Sequence, residues 1–436
     1  MSEQPGLLVQ NAAEVVTVAG PVRRGADQAD IGIIETDGAV AAYEGRIVAV
    51  GRHADVERRL DEMGIAASSL AQLDARGGTV TPGLIDPHTH LLFAGTRQAE
   101  IELRQRGLGY LEILAAGGGI LQTVRETRAA PDEVLLANAR RWLTEMLGHG
   151  VTTVEVKSGY GLSTDAELRL LRLAGRLTAD GPLDIVPTFL GAHAVAPEFR
   201  GRPDAAGAYM QNVIDEQLPA VAEQGIATSC DVFCEVGVFD VHQSRRLLDR
   251  AKELGLPVRL HADQLNSTGG AQLAAHIGAL SADHLGGISE AGIQALADAA
   301  AKGDRPVVAT LLPISAFYLD EPHFAPARAL VDAGVPVALG TDFNPGTSPA
   351  PNAQLALAFA VHRLRLTASE AIAAMTVNAA AALGLEQTHG SLEEGKHADL
   401  VVWEPDSHTL LPYWLGANLV SAVVKRGRVV YASRPA

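Results

Sequence analysis

At 436 residues, 47% of them hydrophobic and 20% charged, the chain has the makeup of an ordinary globular protein, long enough for one large α/β domain or two to three smaller ones. A formal net charge of −16 argues against nucleic acid or an anionic membrane surface as partner, because no basic excess is present to neutralise phosphates. It does not argue against a small anionic substrate, which needs only one local cation.

The opening stretch, MSEQPGLLVQNAAEVV, lacks a basic leader and a clean apolar core, so no signal peptide is expected. The segments LLVQNA, AEVVTVAG and GAVAAYEGRIVAVG then read as short β-strands, with a glycine-bounded turn at Glu44–Gly45, followed by a short helical stretch near His53 to Met63. From there the pattern changes. Eight strands are predicted, TVTPGLIDPHTH, VTTVEVKSG, LDIVPTFLGAH, TSCDVFCE, LPVRLHAD, ALSADHL, RPVVATLLP and VPVALGTDFN, separated by helical runs such as PDEVLLANARRWLTEML and TDAELRLLRLAGRL. Buried strands alternating with helices mean parallel βα units. Eight of them over residues 80–384 predict an α/β fold of the (β/α)8 TIM-barrel type, with its active site at the C-terminal strand ends. The chain closes on HADLVVWEPDS and SAVVKRGRVVYAS, a hairpin pattern around Arg426–Gly427. Lone β-segments are unstable in water, so residues 1–79 and 385–436 are expected to form one small composite β-sandwich domain. No run of about 18 apolar residues suggests a membrane span. The two cysteines, Cys230 and Cys234, would lie about 13 Å apart along one strand face, too far to bridge, and so few thiols fit a reducing, cytoplasmic compartment.

The chemistry-bearing residues gather at the predicted strand ends. His88 and His90 close the first strand in the string GLIDPHTHLLFAG; residues i and i+2 share a strand face, so both rings can point into the barrel mouth. Asp86 has the same parity, as a partner for them or as a plain buried polar contact. His193 ends strand 3, His261 strand 5, His284 strand 6 and Asp342 strand 8. The other nine histidines (His53, His149, His242, His276, His323, His362, His389, His397 and His408) fall in helices, loops or the β-domain and receive no role. Three imidazoles and a carboxylate with a position left for water describe a catalytic site for one metal ion, zinc or iron alike, which acidifies a bound water to a pKa of about 7.

PGLIDPHTH, the histidines after strands 5 and 6, the aspartate after strand 8 and the tail from TVNAAAALGL to GSLEEGKHADLVVWE together resemble the amidohydrolase superfamily, whose members pair a metal-bearing barrel with a β-sandwich made from both termini. Some members hold two metals through a carboxylated lysine on strand 4. Here Lys157 ends strand 2, in the wrong place, whereas Glu235 ends strand 4, either as a bridge or as a structural residue. Cytosine and guanine deaminases carry a glutamate three residues after the strand-5 histidine; here that residue is Gln264, an amide that orients substrate but cannot act as that acid.

FAGTR, GLGYLEILAAGGGILQTV, EVKSGYGL, GAHAVAPEF, HADQL and TDFNPGTSP resemble more narrowly the branch of the superfamily that opens an imidazolone ring in histidine degradation. That resemblance implies metal ligation by His88, His90, His261 and Asp342, and substrate contacts from Arg97, Tyr160, His193, Gln264, Asn344, Gly346 and Thr347. It implies 4-imidazolone-5-propanoate as substrate and N-formimino-L-glutamate as product, with Arg97 meeting the propionate, Asp342 and His284 handling proton and carbonyl, and Gln264 orienting the ring. The alternative is another cyclic amidohydrolase or a heterocycle deaminase acting on a small carboxylate. Residues 115–120, AAGGGI, lack a Walker lysine and are expected to form a flap over the mouth, and Tyr160, between two glycines, a loop above the site. The resemblance also suggests a homodimer.

Overall fold

The computed structural model describes residues 6–108, 112–113, 118–303 and 305–433. Five strands come first: β1 (Gly6–Val16), β2 (Ile33–Tyr43), β3 (Arg46–Arg52), β4 (Ala71–Asp74) and β5 (Thr79–Pro82). Eight follow, separated by helices: β6 (Leu84–Asp86), β7 (Val151–Lys157), β8 (Asp184–Ala192), β9 (Ser229–Cys234), β10 (Arg259–Ala262), β11 (Ser281–His284), β12 (Val308–Leu311) and β13 (Val337–Leu339). The chain ends on β14 (Leu400–Trp403), β15 (Val420–Lys425) and β16 (Arg428–Ala432).

The middle eight form an all-parallel sheet in simple chain order, β6 to β13. It closes on itself just past the ends of β13 and β6. There Thr89 bridges Phe343, the Asp342 N–H donates to His88 O at 3.0 Å, and the His90 N–H donates to Phe343 O at 2.9 Å. The seam of the barrel therefore runs through the residues singled out at its mouth. Below it, Asp86 accepts from the Thr341 hydroxyl at 2.5 Å and the Thr341 N–H at 3.1 Å. Asp86 thus ties the first strand to the last; of its two sequence readings, the buried polar contact is the one found.

The barrel interior is polar. Thr153, Glu155 and Lys157 on β7, Ser229 and Asp231 on β9, Arg259 and His261 on β10, and Ser281 and Asp283 on β11 recur at every second residue and are buried. Residues of the opposite parity, such as Val154, Val156, Val232, Leu260 and Ala282, join the large apolar core shared with the helices. The strands read as apolar are therefore two-sided.

The remaining strands form a second sheet, ordered β16-β15-β14-β5-β1-β2-β3, with β4 paired to β1. Both chain ends enter it, and its core joins Leu7, Val9 and Val40 to Leu400, Val402 and Val424. The two expected hairpin turns are present. Glu44–Gly45 and Arg426–Gly427 each place two successive residues at positive φ, which suits tight β-hairpins. The helix His53–Glu62 covers the other face through Val56 and Leu60.

Structure and sequence reading differ at the first barrel strand. TVTPGLIDPHTH is not continuous: Thr79–Pro82 pairs in the second sheet with β1 and β14, and Leu84–Asp86 pairs with β7 in the barrel. Gly83 makes the crossing, where any Cβ would overlap the side chain of Thr152. Both cysteines lie in β9, buried and free.

Beneath the barrel, at the start of β8, Asp184 accepts from Lys425 Nζ at 2.7 Å and from His389 Nε2 at 2.9 Å, and Lys425 also reaches Asp399 at 2.5 Å. This buried ion cluster clamps the two sheets together. Changing Lys425 to Met, similar in volume, leaves Asp399 without its cation and Asp184 with only the half-exposed Arg426, at 3.1 Å. It is expected to cost about 3 kcal/mol in a urea melt; an unchanged midpoint would show that the clamp contributes nothing.

Candidate active site

His88 and His90 stand just beyond β6, and Asp342 just beyond β13, with the barrel seam between them. His90 Nε2 lies 3.4 Å and His88 Nε2 3.7 Å from Asp342 Oδ1, and His90 Nε2 lies 3.5 Å from His261 Nε2. Three overlapping triplets, His88–His90–Asp342, His88–His261–His284 and His90–His193–His261, each bring one ligand atom per residue within 4.8 Å of the others. His284 and Asp342 hold their backbones at φ +76 and +54, a region that non-glycine residues rarely take, which turns both side chains inward from the strand ends.

The chemistry of this donor set fits a metal ion. His88 Nε2 is fully buried and has no hydrogen-bond partner, an expensive condition for an imidazole nitrogen unless an ion takes its lone pair. His88 Nδ1 is held 2.7 Å from Asp283 Oδ2, and His261 Nδ1 lies 3.0 Å from Asp231 Oδ2. A carboxylate at Nδ1 fixes the tautomer with Nε2 as donor to a metal. Lys157 donates to Asp231 and Glu155, both at 2.8 Å, and Arg259 donates to Asp283 at 3.1 Å. None of these five charged groups was given a role in the sequence reading except Lys157, considered there only as a metal bridge. Their signal was the alternation of polar residues in TTVEVK, SCDVFC, RLHA and SADH. The histidines and aspartates beneath the barrel, Asp184, His389, His397 and Asp399, also cluster at ligand distances, but Lys425 stands between their carboxylates as the cation.

Above this cage lies a cavity. Arg97, Tyr160, His193, Gln264, Asn344 and Thr347 all line it, with His90, His261, His284 and Asp342 at its floor. Gly346 does not line it but supports Arg97, since a Cβ there would overlap the guanidinium. Arg97 Nε and Nη2 make a two-pronged bond to Glu100, at 2.9 and 2.8 Å, and Glu100 also accepts the Gly119 N–H at 2.8 Å. Asn344 faces inward on its own loop: Oδ1 accepts the Gly346 and Thr347 N–H groups, both at 2.8 Å, and Nδ2 donates to Asp342 O at 2.7 Å. Tyr160 sits on the loop after β7 but is buried, its ring 5.5 Å from that of His193. His193 lies flat on His90 at 4.7 Å between centroids.

Glu235 spends both oxygens on its neighbours, accepting from Val236 N at 2.8 Å, Leu265 N at 2.9 Å and Asn266 Nδ2 at 3.0 Å. It is outside every ligand triplet found among the described residues and reads as the loop anchor rather than the bridge. Asp263 does the same for the loop after β10, taking N–H groups from Thr268, Gly269, Gly270 and Ala271. The flap expected at 115–120 falls largely outside the described residues; within them, Gly118 and Gly119 lead into the helix Ile120–Ala129, and Ile120 lines the cavity.

Fold and site define a metal-dependent hydrolase. The Amidohydrolase family profile matches residues 79–430, and the chain belongs to that family. It is 47% identical over 425 residues to imidazolonepropionase of Symbiobacterium thermophilum and 47% identical over 431 residues to that of Geobacillus kaustophilus, each alignment covering 97% of both chains. Among solved structures, a zinc-bound adenosine deaminase of Xanthomonas campestris is similar at a TM-score of 0.64 and 23% identity, over 98% of this chain and 93% of that one. At that identity the likeness concerns the fold.

Burial dominates the ionisation of the site. It lowers His88, His90 and His193 well below the usual imidazole value of 6.5 and brings His284 down to about 3, with neighbouring cations and imidazoles adding to the effect on His88 and His90. Burial likewise raises Asp342, while His284 and His261 oppose that shift. Unfolded histidines bind protons below about 6.5 and these folded ones do not, so the unfolded state gains protons first on acidification. The chelated protein is therefore expected to lose stability as pH falls from 6.5 towards 3, by about 1.4 kcal/mol per unit for each ring kept neutral. Urea melts between pH 7 and 5 check this; a flat midpoint would show that the rings accept protons in the folded state.

Proposed function

We propose that this enzyme performs the reaction of imidazolonepropionases, the hydrolytic opening of 4-imidazolone-5-propanoate to N-formimino-L-glutamate in histidine degradation. The observation that carries the reading is one cavity with a metal-ligand cage for its floor and a buried, carboxylate-oriented arginine, Arg97, in its wall. The relatives' shared name supports it.

In this reading His88, His90, His261 and Asp342 hold one ion, zinc or iron, since imidazole and carboxylate donors suit both. When bound, such an ion acidifies water and polarises a carbonyl. The chain's own residues do the rest. Asp283 holds His88 in the tautomer that leaves Nε2 as the donor, and Asp231 lies against Nδ1 of His261, which turns Nε2 to the site. Asp342, made more basic by burial, takes the proton of the attacking water and returns it to the departing ring nitrogen. His284, held neutral, offers an N–H to the carbonyl oxygen as negative charge develops there. Arg97 holds the propionate, its plane fixed by Glu100. Gln264, an amide in the wall, orients the ring without exchanging protons.

The test is turnover of freshly prepared 4-imidazolone-5-propanoate, with chelation and metal restoration, alongside an ammonia assay. Formiminoglutamate should form only with metal and without ammonia. Ammonia from an aminated heterocycle, and no reaction on the imidazolone, would move the assignment to a deaminase.

His284→Ala is expected to lower kcat by about 100-fold while metal content stays at the wild-type level. Loss of metal in that variant would make His284 a ligand, and full turnover would remove it from the mechanism.

A further inference from the structure

The loop that carries Tyr160 is wound around a carboxylate that the proposed mechanism does not use. Glu167, in the first turn of the helix Thr164–Asp180, is fully buried. Its Oε1 accepts the N–H groups of Gly161 at 2.8 Å and Leu162 at 2.7 Å, and its Oε2 accepts that of Gly159 at 2.9 Å. Leu162 sits at φ +53, a region that non-glycine residues rarely take, while φ +86 at position 159 suits the glycine there.

The carbonyl of Gly159, part of the next peptide unit, faces the other way: Gly159 O lies 3.1 Å from His193 Nδ1. A carbonyl oxygen only accepts, so Nδ1 is the nitrogen that carries the proton, and Nε2 keeps its lone pair. Glycine is required at 159 for this approach, since a Cβ would stand 2.9 Å from His193 Nδ1. Carboxylate, turn and imidazole are thus connected in sequence, Glu167 to the Gly159 backbone to His193, ending at the cavity that Tyr160 and His193 both line.

We propose that Glu167 is a positioning residue for substrate recognition: by holding the N–H groups on both sides of the turn, at Gly159, Gly161 and Leu162, it sets the direction of the Gly159 carbonyl, which fixes His193 as the Nδ1–H tautomer and offers Nε2 to the cavity as a hydrogen-bond acceptor. Under the functional reading above, on which this assignment of a ligand rests, the matching group is a ring N–H of the cyclic amide. An acceptor there favours substrates with an N–H over N-alkylated analogues, because an alkylated nitrogen leaves the buried acceptor unmet.

The test uses the full-length, zinc-loaded enzyme. In the wild type, 15N spectra of labelled histidine rings, assigned against His193→Asn, should show His193 protonated at Nδ1; protonation at Nε2 overturns the proposal whatever the substrate. Glu167→Gln substitutes one acceptor oxygen and a competing NH2 for the carboxylate. It should mix the His193 tautomers and raise KM about tenfold, with kcat changed less than about threefold. In a Tyr160→Phe, His193→Ala background the same substitution should change KM less than about twofold. An equal loss in both backgrounds means a merely structural carboxylate and overturns the proposal. If Glu167→Gln does not fold, the wild-type tautomer still decides. If the wild type does not turn over the imidazolone, the functional reading fails while the tautomer result stands on its own.

Discussion

The structure is organised around charges buried inside a barrel. Glu155, Lys157, Asp231, Arg259 and Asp283 have no exposed surface and sit on four strands around the axis. Each such charge costs several kcal/mol to desolvate unless it is closely paired. Here the two cations sit among three carboxylates and leave the cluster one negative charge in excess. That excess is directed upward, through Asp283 and Asp231, onto the Nδ1 atoms of His88 and His261. Asp342 adds a second negative charge when ionised, and its burial makes that charge unfavourable on its own. A divalent ion held among the imidazoles would restore neutrality to the assembly and give the orphaned His88 Nε2 its partner. The barrel's polar interior and its affinity for a cation are thus one electrostatic arrangement.

The loops above this core follow a second rule: several of the cavity-lining segments are secured by a buried carboxylate that binds backbone or guanidinium N–H groups. Glu100 holds Arg97 and Gly119, Glu167 holds the turn around Tyr160, and Asp263 and Glu235 hold the segment after Gln264. A carboxylate has two oxygens and no donors, so it gathers several N–H groups that a loop could not pair by itself. Rigidity of this kind matters because recognition requires the polar groups to be in place before the ligand arrives.

Much of this was legible in the sequence, for identifiable reasons. The eight barrel strands were visible because helices and glycine or proline turns separate them, and the residues at the cavity were visible because strand ends converge in this fold. What stayed hidden was non-local. Pairing of Lys157 with Asp231 spans 74 residues, and that of His88 with Asp283 spans 195. No local pattern reports a contact at that range, although the alternation in TTVEVK and SCDVFC did mark the inward faces. The strand break at Gly83 was invisible because both halves are apolar; only the close approach of Thr152 reveals why a glycine stands there.

These two layers together bear on which bond the site can break. Four histidines near the cavity floor are depressed by burial, so at neutral pH they act as neutral donors or acceptors rather than as acids. Gln264 stands where a deaminase would need a titrating carboxyl, and an amide has none to offer. Proton traffic in the cavity is assigned to Asp342, one of the proposed ligands; Glu321, whose carboxyl burial raises to about 7, lines the adjoining pocket with Gln264 and His284 instead. A site so arranged suits attack at a carbonyl whose leaving nitrogen stays tethered in the ring and is protonated by the same carboxylate that deprotonated the water.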